Sequence, residues 1–296
     1  MTQSHPFAIT LLGTGCPVVS PRRYGAGTLV QCGGMTVLVD IGSGVTQRLV
    51  EAGSSGAEID ALLITHIHSD HLVDLYQLIV SSWHQSRDRP QVIYGPPGIR
   101  KLVEDHMAAW REERELRIAF EKRTSTVAFD VEVIEFEADG VLFGHDGMTV
   151  SAVRVEHQPI PHAFGFVFEA HGRKAVLSGD TKRCEALIAA AKGADVIVHE
   201  VFAHGRDRAP SGTRSAETLA QVASYHTLST DVGDVARQAG AGALILTHIV
   251  PPSADPALLI ADVRQNFDGF VAVGEDLMTI DVAGRQISWR GMSAGF

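Results

Sequence analysis

One stretch of the chain reads ALLITHIHSDHL, from Ala61 to Leu72. Its first four residues are apolar and have the length and composition of a buried β-strand. Three histidines and an aspartate follow directly, and a helical pattern comes next at residues 70–80. The stretch therefore predicts a strand that opens onto a metal site, with a helix behind it.

The spacing of the polar residues suggests two metal positions. His66 and His68 are two residues apart on extended chain, so their side chains face the same way and can bind one ion. Asp70 and His71 lie at the opening turn of the next helix, where they can turn toward a second, adjacent position. Imidazole and carboxylate together suit zinc, iron or manganese better than calcium or magnesium.

The rest of the chain alternates short apolar runs with helical patterns bounded by glycine, which is typical of a layered α/β protein. The predicted strands are 7–12, 27–32, 35–39, 61–64, 149–155, 165–169, 174–178, 195–198, 243–246, 270–273 and 277–281. The predicted helices are 44–53, 70–80, 97–109, 182–192, 215–224, 231–240 and 255–267. The last begins at Asp255-Pro256, a capping residue followed by proline at the first helical position.

One segment, residues 81–125, breaks this alternation with the aromatic residues Trp83, Trp110 and Phe120 and a run of charges. We interpret it as an inserted, partly helical segment, either a solvated helix with one packed side or a lid over the active site. No repeat and no long linker divides the chain. Residues 1–296 are therefore expected to form a single domain.

Composition limits the possible functions. The 296 residues carry a formal net charge of -10, which argues against non-specific binding to nucleic acid or anionic membranes. No apolar run approaches the roughly 18 residues of a membrane span. The three cysteines fit no disulfide or CxxC pattern, as expected in a reducing cytoplasm, whereas the fourteen histidines cluster in a few segments.

The HxHxDH motif after an apolar strand resembles the metallo-β-lactamase superfamily. Four further segments resemble the remaining motifs of that family. They are VLVDIG, which contains Asp40, VEH, which ends at His157, VLSGDT, which contains Asp180, and LILTH, which ends at His248. The resemblance covers residues 8 to 281. It implies a four-layer αββα sandwich with a dinuclear metal site at one edge of the two sheets.

The resemblance also implies how two divalent ions are held, zinc first, with manganese or iron as alternatives. Asp40 would support the metal loop without binding metal itself. The implied ligands are His66, His68 and His157 on one ion, Asp70, His71 and His248 on the other, and Asp180 shared between them.

Two further residues match the tRNase Z and arylsulfatase-like branches of the family. Glu200 ends an apolar strand, and His226 precedes a helical segment. A carboxylate that orients an imidazole sets its tautomer and raises its basicity, so the pair is a candidate for proton transfer. The candidate catalytic residues are therefore Glu200, His226 and the ligand Asp70, with a purely structural role for Glu200 and His226 as the alternative.

The segment from Phe164 to Asp180 decides the expected branch. tRNase Z proteins generally carry a basic tRNA-binding arm between the third motif and the bridging aspartate, but here a hairpin turn leaves no room for one. We therefore expect a cytoplasmic arylsulfatase-like enzyme that attacks an aryl sulfate with a metal-bridging hydroxide. The expected partner is a small-molecule ester, with neither nucleic acid nor membrane, and a homodimer remains open.

Four alternatives remain for the activity. A phosphodiesterase is the closest, because a phosphodiester and a sulfate monoester make similar demands on a dinuclear site. A tRNase Z-type 3′ endoribonuclease follows, then a lactonase or β-lactamase. The last is a non-catalytic metal-binding member of the family.

Overall fold

The strand before the histidine motif lies inside a nine-stranded mixed sheet. The computed structural model describes residues 7–203 and 215–296. The strands of this first sheet are β1 (Ala8–Gly13), β2 (Gly27–Cys32), β3 (Met35–Val39), β4 (Ala61–Leu63), β5 (Gln91–Gly95), β6 (Val131–Glu135), β14 (Met278–Asp281), β15 (Gln286–Trp289) and β16 (Met292–Gly295). Their order is β16-β15-β14-β1-β2-β3-β4-β5-β6.

A seven-stranded sheet packs against the first. Its strands are β7 (Gly140–His145), β8 (Met148–Val155), β9 (Ala163–Ala170), β10 (Arg173–Leu177), β11 (Val196–Phe202), β12 (Ala243–Val250) and β13 (Phe270–Val273). They lie in the order β13-β12-β11-β10-β9-β8-β7. Both sheets contribute to one apolar cluster, which includes Ile9, Leu63, Phe166 and Ile245.

Helices cover the outer faces of both sheets. They are α1 (Val45–Glu51), α2 (Leu75–His84), α3 (Ile99–Ala109), α4 (Arg111–Glu121), α5 (Glu185–Ala190), α6 (Ala216–Ala223), α7 (Ser229–Ala239) and α8 (Pro256–Val263). Helices α1 to α3 share an apolar cluster with the first sheet, and α5, α7 and α8 share one with the second. The layers are therefore α, β, β and α, as the resemblance implied. Within the described residues, no helix is long and apolar enough to cross a membrane.

Parallel strands bring the site loops to one edge. Strands β3 and β4 pair in parallel, as do β10, β11 and β12. Because the carboxyl ends of parallel strands meet at the same edge of a sheet, the segments that follow them converge. The pairing of β11 with β12 shifts register after Glu200, opposite Thr247 and Ile249. This irregularity leaves His248 without a paired residue, with a φ of 40°, as in bulges that redirect a side chain.

The structure confirms most of the predicted elements and corrects others. Strands β2, β3 and β13 have the predicted bounds, and Asp255 caps α8 by accepting a hydrogen bond from the backbone N–H of Ala257 at 2.9 Å. Strands β5, β6, β7, β15 and β16 were not predicted. Of the segment 81–125, β5 belongs to the first sheet and α3 and α4 supply the helical part. A role for this segment as a lid stays a prediction.

The loop between β1 and β2 is anchored at its base. The buried guanidinium of Arg23 donates from Nη1 to Thr14 Oγ1 at 2.7 Å and to the Gly274 carbonyl at 2.6 Å. Its Nη2 donates to Glu275 Oε1 at 2.8 Å. Asp276 accepts hydrogen bonds from the backbone N–H groups of Thr14 and Tyr24, at 3.0 and 2.8 Å. The two ends of the loop are thus fixed to the chain ahead of β14.

Replacing Arg23 by methionine is expected to lower the free energy of unfolding by about 3 kcal/mol, because Glu275 and a buried carbonyl would lose their charged donor. The neighbouring Arg22 is exposed, so Arg22→Met should change it by less than about 0.5 kcal/mol. Urea unfolding of both variants measures the difference. Equal stability of the two would contradict this account of the loop anchor.

Candidate metal centre

Four imidazoles surround one carboxylate oxygen at the shared edge of the two sheets. Asp180, in the loop after β10, places its Oδ2 3.4 Å from Nε2 of His71 and 3.4 Å from Nε2 of His248. The Nε2 atoms of His157 and His66 lie 3.7 and 3.9 Å from the same oxygen. Three segments that are far apart in the sequence therefore bring imidazoles to Asp180.

Three histidines form a first group of donor atoms. His68 Nδ1 lies 2.9 Å from Nε2 of His66 and 3.1 Å from Nε2 of His157. Ligands about 2.0–2.1 Å from a tetrahedral zinc ion would be about 3.4 Å apart, close to these separations. With Asp180 they form a group that could hold a metal ion.

A second group lies next to the first. Asp70 Oδ2 is 3.3 Å from His248 Nε2 and 3.6 Å from His71 Nε2. His71 Nε2 is buried, and the carboxylate oxygens of Asp180 and Asp70 lie 3.4 and 3.6 Å from it, beyond the usual length of a hydrogen bond. A metal ion is a natural partner for such an atom, because buried polar groups are otherwise nearly always paired. The three donors of this group could also hold a metal ion.

Neighbouring oxygens fix the orientation of the rings. The Asp40 carboxylate lies 2.8 Å from His71 Nδ1 and accepts hydrogen bonds from the backbone N–H of Thr65 at 2.9 Å and its Oγ1 at 2.8 Å. The Tyr225 carbonyl lies 3.0 Å from His157 Nδ1. A ring that donates through Nδ1 keeps a lone pair on Nε2 for a metal. Asp40 has a φ of 60°, a strained conformation that is often found at functional sites.

The electrostatics of the cluster favour a bound cation. Burial raises the pKa of the Asp180 carboxyl, but the charges of His248 and His71 outweigh it and hold that pKa well below its usual range. Burial lowers the pKa of His71, but the carboxylates of Asp180 and Asp40 outweigh it and raise that pKa well above its usual range. The site stabilises positive charge, which a metal ion can supply as well as a proton can. The donor types and their arrangement therefore fit divalent metal ions.

The predicted proton-transfer pair is also present. Glu200 Oε1 lies 3.0 Å from His226 Nδ1 and accepts hydrogen bonds from the backbone N–H groups of Thr181 and Thr227, both at 3.1 Å. Burial lowers the pKa of His226, but the charge and hydrogen bond of Glu200 outweigh it and raise this pKa to about 9. Proximity to Asp180 adds to the rise. The Glu200 carboxylate therefore fixes the orientation of the imidazole and favours its protonated form.

Two neighbouring cavities lie beside the cluster. The metal chamber, of about 270 Å³, is lined by His68, Asp70, Asp180, His226 and His248 among others. The side pocket, of about 640 Å³, lies between the β1–β2 loop and the segment from Ser69 to Val73. Both are lined by Cys16, Pro17, Ser69 and Asp70.

All nine site residues named from the sequence lie in this cluster, namely His66, His68, Asp70, His71, His157, Asp180, Glu200, His226 and His248. Their individual roles stay predictions. The β1–β2 loop was not predicted as part of the site, although its glycines and prolines between Gly13 and Gly25 marked it as a shaped loop. Trp83, Trp110 and Phe120 line neither cavity.

Comparison with known proteins identifies the family. The family model described as "Anti-Pycsar protein Apyc1" matches residues 7–215. A ribonuclease Z from Mycolicibacterium gilvum is 37% identical over 281 residues, which cover 93% of this chain and 96% of the relative. A ribonuclease Z from Mycobacterium bovis is 35% identical over 285 residues, which cover 94% of this chain and 99% of the relative.

Solved structures show the same fold. The metallo-β-lactamase fold protein YhfI from Bacillus subtilis matches with a TM-score of 0.72 and 21% identity, over 93% of this chain and 98% of that one. The short form of human tRNase Z matches with a TM-score of 0.69 and 23% identity, over 93% of this chain and 99% of that one. The αββα sandwich is thus the metallo-β-lactamase fold.

The relatives contradict one prediction. The expectation of a small-molecule ester as partner, with no nucleic acid, is wrong, because these relatives are named as ribonucleases. Net charge sums the whole chain and does not describe the surface near the site. The missing arm was also a poor criterion, since a relative matched over 99% of its length leaves little sequence for one. The chain belongs to the metal-dependent hydrolases of the metallo-β-lactamase fold, in the family described as anti-Pycsar protein Apyc1 and among relatives named ribonuclease Z.

Proposed function

We propose that this protein is a metal-dependent phosphodiesterase that hydrolyses RNA, in the manner of the ribonuclease Z proteins. The observation that carries the proposal is the 37% identity to a ribonuclease Z over nearly the whole of both chains. The cluster of histidines and aspartates around Asp180 supports it, because dinuclear sites suit the displacement at phosphorus that this reaction requires. RNA therefore replaces the aryl sulfate expected from the sequence.

The metal ligands follow the two groups of donor atoms. His66, His68 and His157 would hold one ion, and Asp70, His71 and His248 would hold a second, with Asp180 shared. Divalent ions in these positions, zinc being the first choice, would neutralise the phosphate oxygens and activate water. Asp40 would contribute by holding His71 in the tautomer that leaves Nε2 free.

His226 is the proposed catalytic acid. It lines the metal chamber beside Asp180 and His248, and its raised pKa keeps a proton available for the departing ribose oxygen. Water adds across the phosphorus–oxygen bond, so the leaving oxygen needs that proton as the bond breaks. Glu200 is a positioning residue, because its carboxylate lies against His226 Nδ1 and directs Nε2 toward the chamber.

A local cluster of arginines offers contacts for RNA despite the negative net charge. Arg22, Arg48 and Arg290 line a cavity of about 390 Å³ that shares Pro21 with the side pocket. The Arg290 guanidinium lies 4.6 Å from the centroid of Trp289. Arginine and aromatic side chains together are typical of surfaces that bind single-stranded RNA. Glu275 pairs with Arg23, and Asp276 accepts hydrogen bonds from Thr14 and Tyr24 and lies 3.7 Å from Arg48 Nε. Arg22 and Arg290 are therefore the arginines of this cavity that we propose as RNA contacts.

The direct test is a comparison of substrates. The metal-loaded protein is expected to cleave a tRNA precursor with a 3′ trailer and to hydrolyse bis(p-nitrophenyl) phosphate faster than p-nitrophenyl sulfate. Asp180→Ala should lose at least about a hundredfold in rate, whereas the exposed Asp130→Ala should match the wild type. An intact precursor together with rapid hydrolysis of the sulfate would overturn the proposal and favour an arylsulfatase.

The role of His226 is tested by leaving-group quality. His226→Gln should lower kcat on RNA about a hundredfold or more, because an alkoxide needs a proton to depart. The same change should cost little on bis(p-nitrophenyl) phosphate, since nitrophenolate departs unprotonated. Glu200→Gln should show the same pattern with a smaller loss, and His162→Gln should show none. Equal losses on both substrates would assign His226 a structural role.

Metal content tests the support given by Asp40. Asp40→Asn should weaken metal binding about 10- to 100-fold, because an amide holds the His71 imidazole less well. Asp60→Asn is the matched control, since Asp60 also accepts a backbone hydrogen bond, from Thr36, but lies before β4 rather than at the site. Chelator competition followed by elemental analysis measures the difference. Equal affinities would remove Asp40 from the proposed metal site.

A further inference from the structure

The side pocket has no role in the chemistry described so far. It is the larger of the two neighbouring cavities, at about 640 Å³, and it shares Cys16, Pro17, Ser69 and Asp70 with the metal chamber. Its size falls within the roughly 300–1,000 Å³ of sites for small organic groups. A group bound there would therefore lie next to whatever occupies the metal chamber, on the other side of Asp70 from His226.

The walls of the side pocket combine apolar surface with a few polar groups. Val19 and Val73 line it and are 91% and 58% exposed, which leaves their side chains available to a ligand. Hydroxyls come from Ser20, Ser43 and Ser69. A nucleoside, with apolar faces and polar edges, has this mixture of properties, whereas an isolated phosphate has no use for the apolar part.

Tyr24 supplies an aromatic surface that is held rigidly. The Arg48 guanidinium lies 4.0 Å from the centroid of the ring. Gly44 makes room for the ring, since a Cβ there would lie 2.3 Å from Tyr24 Cδ1. The backbone N–H of Tyr24 is bound by Asp276, and Arg23 anchors the same loop. A fixed aromatic ring can stack on a base without losing much conformational freedom.

The side pocket lies away from the proposed catalytic acid. His226 and Tyr225 line the metal chamber but not the side pocket, whereas Asp70 lines both. His226 lines only the metal chamber, so the oxygen that departs beside it in the proposed function lies on the His226 side of the phosphate. The substituent that extends past Asp70 is then the one whose ester bond remains intact.

We propose that the side pocket binds the nucleoside that keeps the phosphate after cleavage, with its base against Tyr24, Val19 and Val73. This inference rests on the proposed function, because it requires an RNA phosphodiester in the metal chamber. It assigns the β1–β2 loop as a binding element that sets where along the RNA the cut falls.

The test uses a cleaved RNA carrying one abasic residue immediately 5′ or 3′ of the cut. Mass spectrometry of the products shows which side keeps the phosphate. Removing the base on that side should lower kcat/KM at least about tenfold, and removing the other base should change it less than about twofold. If removal of the other base lowers kcat/KM as much or more, the assignment of the side pocket is overturned, while the proposed function is unaffected.

Filling the pocket provides a second, independent measurement. Val73→Trp should lower kcat/KM about tenfold on intact RNA and have no further effect on the RNA that lacks the phosphate-retaining base. Val50→Trp is the matched control, because Val50 is 53% exposed and lines neither cavity. Equal losses on intact and abasic RNA would overturn the assignment. If the wild type cleaves none of the RNAs, the proposed function fails and the pocket assignment fails with it.

Discussion

The structure depends on holding several imidazoles and carboxylates together in one buried cluster around Asp180. Four imidazole nitrogens lie within 3.9 Å of one Asp180 oxygen, and the carboxylates of Asp40, Asp70 and Glu200 lie in or beside the same cluster. Such a cluster is costly unless each group has a partner. Positive charge at the centre satisfies the carboxylates, and fixed oxygens on the outer ring atoms orient the imidazoles. The surrounding fold supplies the orienting oxygens and leaves the central charge to a bound cation or a proton.

The fold brings these groups together from loops that are distant in the sequence, and not from one local motif. Only the segment from His66 to His71 is continuous in the sequence. His157 and Asp180 follow β8 and β10, Glu200 and His248 lie in β11 and β12, and His226 lies between α6 and α7. The parallel pairing of β10, β11 and β12 aligns their carboxyl ends. The irregularity at His248 then turns one imidazole out of the β12 ladder and toward Asp180.

The net charge of the chain and the lack of a tRNA-binding arm between β9 and β10 favoured the wrong class of substrate, and the reason is physical. A net charge of -10 describes the whole chain, but the arginines beside the β1–β2 loop act over about the Debye length of roughly 10 Å. The compact hairpin between β9 and β10 leaves no room for an RNA-binding arm there, but it does not change the residues that could bind metal. Relatives matched over nearly their full length carry the ribonuclease name.

The sequence by itself determined the chemistry of the site, because ligand type is a property of single residues and the HxHxDH spacing on an extended chain fixes which side chains can act together. It also determined most strands, since their apolar runs are local signals. Tertiary structure alone decided that Tyr24, Val19 and Val73 enclose a pocket beside Asp70. It also decided that Asp40 reaches His71. Those contacts depend on strand order and register across distant segments, which no local pattern of residues encodes.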